Sequence, residues 1–137
     1  MSYIDKMKDK ASKKDSIPAL AVELMDAATK VHILHLSVTG AGSYAAHKAL
    51  NELYDALPGH ADTIAEGYQG ATGTIPDYPD VSAPRLGSVK DAINYIEQLH
   101  AKVTRVQDGC EFSEIVNDLD NIKSTLNSVK YKLKFLS

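Results

Sequence analysis

A single cysteine in 137 residues excludes an internal disulfide framework, and Cys110 standing alone fits a reducing cytoplasm. No stretch approaches the roughly 18 uninterrupted apolar residues that a membrane-spanning helix needs. The opening MSYIDKMKDKASKKDS also lacks the apolar centre of a signal peptide. A soluble, cytoplasmic chain is expected. Basic charge is not in excess either: 15 Lys and Arg against 18 Asp and Glu give a formal charge of −3, which argues against a globally basic nucleic-acid binder. There is no internal repeat, and no low-complexity stretch beyond the lysine-rich start. No segment alternates well enough to form a strand. What is present is a hydrophobic fraction of 44%, enough for the core of one domain.

That fraction is arranged helically. Asp15 or Ser16 can cap a first helix, with Pro18 in its first turn and a broad apolar stripe from Leu20 to Leu36. The run Val38-Thr39-Gly40-Ala41-Gly42 then breaks it, since two glycines in three residues favour a turn. A second helix is predicted from about Ser43 to Glu66, stopped by Gly67, Gly70 and Gly73. Pro58-Gly59 should kink it, because proline removes the donor to the Tyr54 carbonyl. Residues 70–87, with three prolines, read as a long connection. The third helix is predicted from near Ser88 to Asp108-Gly109, and the fourth from about Ser113 to Phe135. The fold expected is therefore all-α: a ferritin-like four-helix bundle over residues 16–137 with one long crossover. Residues 1–15 form a lysine-bearing N-terminal arm.

The chemistry sits in His35, His47, Asp62 and Glu66. Asp62 and Glu66 lie one turn apart on one helix face, so their carboxylates can share or bridge metal ions. Imidazole with carboxylate is a mixture that iron, zinc and manganese accept. His47 and Asp62, however, are fifteen residues apart on one helix, about 22 Å at 1.5 Å per residue. No ion spans that. If two copies of the helix pack antiparallel about a twofold axis, His47 of one meets Asp62 and Glu66 of the other, and His35 joins them. The residues point to an intersubunit site.

The run Leu34-His35-x-x-Val38-x-Gly40, then His47, Glu52-Leu53-Tyr54-Asp55 and Asp62-x-Ile64-Ala65-Glu66, resembles the signature of the Dps (mini-ferritin) family. The likeness covers residues 34–68. It implies a hollow shell of twelve subunits built from twofold dimers. It also implies Fe(II) oxidation, often by peroxide, at a site formed by His35, His47, Asp62 and Glu66. Ferric mineral would be stored inside, and oxidative damage thereby suppressed. The chain departs from that signature in three places. Leu36 stands where tryptophan is usual, Asn51 where an acidic residue is common, and Pro58-Gly59 interrupts a helix that is normally continuous. Metal binding is expected to tolerate these departures better than turnover does.

Lesser candidates have simpler readings beside them. Glu97-x-x-His100 matches half of a di-iron bundle signature and, with Glu23 and Glu66, would give an intrachain di-iron oxidase. Ordinary surface placement is the plainer expectation for that pair. His32 and His60 read as surface histidines. The arm lysines (6, 8, 10, 13 and 14) could bind DNA phosphates, though Asp5, Asp9 and Asp15 dilute them. A non-catalytic bundle binding DNA or protein is the alternative from outside enzymology. Glu111, Glu114 and Asp118 suit either a cation-attracting pore or the dipole of the last helix, and Cys110 reads as a passive residue.

Overall fold

The structure, a computed structural model, describes residues 15–81 and 83–136; the N-terminal arm up to Lys14 lies outside them. Four helices are present and no strand occurs among the described residues: α1 (Ile17–Ser37), α2 (Ser43–Thr72), α3 (Val89–Asp108) and α4 (Ser113–Phe135). None is long and apolar enough to cross a membrane.

Local chemistry explains the ends. Ser16 caps α1 by accepting from the Ala19 amide at 3.3 Å, and Pro18 occupies the first turn, where its missing donor costs nothing. Gly40 and Gly42 take φ of +90° and +79°, left-handed values that let the chain reverse between α1 and α2. At α3, the Ser88 hydroxyl accepts from the Asp91 amide at 3.1 Å while the Asp91 carboxylate reaches back to the Gly87 amide at 3.0 Å.

One boundary differs from expectation. The α2 helix does not stop at Glu66 but runs six residues further, to Thr72. Gly67 is an interior residue there, beside α4: a Cβ would stand in ordinary contact, 3.7 Å from the Ile115 side chain, so the position does not require glycine. Only Gly73, at φ +69°, ends the helix. Pro58 lies inside α2, which continues through it as the single helix that was expected there. It lies on the exposed face, so the Tyr54 carbonyl that it fails to satisfy can turn toward water.

The helices bury apolar stripes against one another. On α4 the stripe is Ile115, Leu119, Ile122, Leu126, Val129 and Leu133, alternating steps of four and three, and all six are buried. Leu50, Leu53, Leu57 and Ile64 do the same for α2, and Ile96, Leu99 and Val103 for α3. Each such side chain contributes on the order of 1.5–3 kcal/mol by leaving water. Helix α1 packs against α2 and α3, and α4 against the same two.

Cross-helix pairs give the directions. His35 meets His47, Lys102 meets Glu23, His60 meets Thr125, and Lys130 meets Glu97. A second contact on each seam, Lys30 with Tyr95, Glu52 with Lys132 and Gln107 with Lys123, and the short turn between α1 and α2 make all four neighbouring pairs antiparallel. It follows that α2 and α3 run in the same direction, and the segment between Thr72 and Val89 joins opposite ends of the bundle.

Glycines near the end of α2 supply a test of this frame. Gly70 is helical with open space around it, so Gly70→Ala should raise stability by about 0.5–1 kcal/mol in urea unfolding. Gly73→Ala, three residues on, should lower it by about 1 kcal/mol, because alanine resists the left-handed backbone there.

Candidate metal centre

His35 is in the last turn of α1 and buried, 7% exposed; His47 is in the second turn of α2 and exposed. The antiparallel hairpin brings them together through a reciprocal exchange. His35 Nδ1 donates to the His47 carbonyl at 2.9 Å, and His47 Nδ1 donates to the His35 carbonyl at 3.2 Å. A carbonyl can only accept, so both Nδ1 atoms carry the proton. In the neutral imidazoles, both Nε2 atoms are then left with free lone pairs. A backbone carbonyl holding one ring nitrogen of a metal-ligating histidine is a recurrent way of fixing its tautomer and orientation. The two rings stack, with centroids 3.6 Å apart and planes inclined by 25°.

Neighbouring rings extend this contact. Tyr54 meets His35 edge-on at 5.0 Å, and His32 lies flat on Tyr54 at 4.0 Å. The Tyr54 hydroxyl donates to Asn51 Oδ1 at 2.6 Å, and Asn51 Nδ2 donates to Asp55 Oδ2 at 2.8 Å. Asn51 is therefore held between two neighbours on its own helix.

Asp62 and Glu66 are both exposed on the outer side of α2. At 100° per residue, His47, Asn51, Asp55, Asp62 and Glu66 fall within a sector of about 100°, opposite the buried stripe. Glu23, Asp26, Glu52 and Glu97 are each paired with a lysine, whereas neither Asp62 nor Glu66 has an ion-pair partner among the described residues. The fold thus joins His35 to His47 and keeps Asp62 and Glu66 farther along the same face. Among the described residues, no three His, Cys, Asp or Glu side chains converge in a geometry that could hold a metal.

The other candidates are engaged elsewhere. Glu23 pairs with Lys102, and Glu97 with Lys130 at 3.6 Å, so the intrachain di-iron set is not assembled. His60 is not a free surface residue. It is partly buried, with Nε2 2.9 Å from the Thr125 hydroxyl on α4. Cys110 is half-buried, and its thiol faces the Phe112 carbonyl at 3.6 Å.

Sequence reasoning missed the His32–Tyr54 stack and the carbonyl exchange. The first left a signal, since His32 is one turn before His35. The second left none, because a backbone acceptor is the same at every position.

The family model described as a family of unknown function, DUF5856, matches residues 35–133, well over half of the chain and including all four candidate ligands. No curated protein and no solved structure matches the chain.

Burial lowers the pKa of His60, an effect partly opposed by the nearby Asp118 carboxylate. His100 is lowered too, by burial first and then by Lys123 and Lys130. A histidine whose pKa is below 6.5 in the folded state gives up stability once the unfolded chain begins to take up protons. Stability should therefore be full above about pH 6.5 and fall as the pH drops below it. Urea midpoints between pH 7.5 and 5.5 measure this. His60→Gln, which can still bond Thr125, should flatten the slope.

Proposed function

We propose that this chain, which belongs to the DUF5856 family, binds ferrous iron at sites shared between two copies of itself and oxidises it. The observation that carries the reading is the His35–His47 exchange. It frees two Nε2 donors at one end of an α2 face whose other end bears the unpaired carboxylates Asp62 and Glu66. Placed antiparallel, two such faces are self-complementary. The imidazoles of each copy would meet the carboxylates of the other, and the contact would occur twice about a twofold axis. Leu36 and Tyr44, each 73% exposed beside the histidines, supply the apolar surface such a contact would cover.

In this reading iron is the substrate. Asp62 and Glu66 hold a pair of Fe(II) ions as anionic, bridging ligands, and His35 and His47, whose stacked rings do not converge on one ion, serve as neutral ligands to one ion each, leaving positions for the oxidant. Two ferrous ions reduce one hydrogen peroxide to two hydroxides, each ion giving one electron. The mixed, weak ligation lets ferric product leave for a mineral core inside a dodecameric, Dps-like shell in the cytoplasm. Zinc or manganese suits the same donors. The bundle, with one connection joining opposite ends, is the architecture that the Dps resemblance implies. Asn51 cannot supply the second acidic ligand common in that signature. The four donors suffice for binding, and the departures at Leu36, Asn51 and Pro58 bear on turnover. DNA binding by the N-terminal lysines is a separate proposal, tested by gel shift at low and moderate salt with and without residues 1–15.

Aerobic addition of Fe(II) to the apoprotein should raise near-ultraviolet absorbance faster than in buffer, and size exclusion should show an oligomer. His47→Ala with Asp62→Asn should cut the rate at least tenfold. Oxidation no faster than in buffer, with and without added peroxide, would rule turnover out, and a stable monomer would rule the shared site out.

A further inference from the structure

His32 takes no part in the ferrous site proposed above. It is exposed, makes no hydrogen bond among the described residues, and rests against Tyr54 with the two planes only 4° apart. It stands one helical turn before His35, and their ring centroids are 5.9 Å apart. Two imidazoles bound to one ion at about 2.1 Å hold their centroids roughly 5 Å apart, a spacing that the shared helix places within range of a turn of the His32 side chain. The His35–His47 pair is different. At 3.6 Å and 25° its rings are stacked nearly parallel, and lone pairs lying in two parallel planes do not converge on one ion.

His35 is the pre-set half of the first pair. Its Nδ1 is committed to the His47 carbonyl, so Nε2 is the nitrogen it offers. His32, with no competing bond, brings the second nitrogen by a side-chain rotation away from Tyr54. Both donors are imidazoles, spaced i and i+3 on one helix. Such a set favours borderline ions over the hard, oxygen-seeking ones, in the order copper(II) ahead of nickel and zinc and well ahead of manganese.

We propose that His32 and His35 of a single protomer chelate a borderline divalent cation, copper(II) most tightly, with water completing its coordination. The site needs neither a second copy nor a carboxylate. Because it shares His35 with the ferrous site, the two ions exclude each other.

Copper(II) titrated into the full chain, followed by calorimetry and electron paramagnetic resonance, tests this. Saturation at one ion per protomer is expected, with hyperfine coupling to two imidazole nitrogens. His32→Phe keeps the stack on Tyr54 but removes the donor; it should weaken copper at least tenfold and delete one nitrogen coupling, with iron oxidation unchanged. Asp62→Asn with Glu66→Gln should abolish iron oxidation and leave copper affinity as it was. Unchanged copper affinity in His32→Phe would overturn the proposal, and so would loss of copper in the carboxylate variant. Absent iron oxidation with copper binding as described would instead sink the ferrous reading alone.

Discussion

An α-helix advances about 1.5 Å per residue whatever its side chains, and α2 runs unbroken from Ser43 to Thr72. That rigidity fixes the distances along the outer face of the molecule. His47 lies near one end, Asp62 and Glu66 lie past the middle, and no side chain is long enough to close the gap. Any site using both ends must find its second half elsewhere. The proposed dimer is thus a consequence of helix geometry, and Pro58 does not relieve it, because the helix continues through the proline.

The bundle supports this face from behind. Leu50, Leu53, Leu57 and Ile64 anchor α2 to the core, while the reciprocal histidine–carbonyl bonds tie its first turns to the end of α1. Both ring orientation and tautomer therefore depend on the α1–α2 hairpin staying closed. Elsewhere, polar contacts cross-link helices. Lys102 meets Glu23 across the α1–α3 seam, and Lys132 meets Glu52 at 2.5 Å across α2–α4. The buried Lys30 sits 2.6 Å from Asp26 and 5.1 Å from the centre of the Tyr95 ring. A buried ammonium is tolerated only with such partners. Burial chiefly, with Glu23 and Asp26 adding to it, holds the Tyr95 phenol above its usual range. With Glu97 on Lys130, the Glu23 pairing takes up two of the three carboxylates of the intrachain di-iron set.

Much of the fold was legible beforehand. The spacing of Ile115, Leu119, Ile122 and Leu126 reports a buried helical face directly, and Ser16 and Ser88 announce helix starts by their capping chemistry. The end of α2 was not legible. Gly67 reads as a stop, yet the helix runs on through it, and only Gly73 takes the left-handed backbone that ends it. His60 was misread because Thr125 is sixty-five residues away in the chain.

By itself the sequence determined the number and faces of the helices, because apolar periodicity and caps act locally. It also determined that His47 and Asp62 cannot share an ion within one chain, because helical rise does not depend on context. Only the tertiary structure decided that His35 and His47 lock each other through backbone carbonyls, and that His32 comes to lie flat on Tyr54. Those arrangements turn on the angle and register at which α1 meets α2, which the packing of the whole core sets.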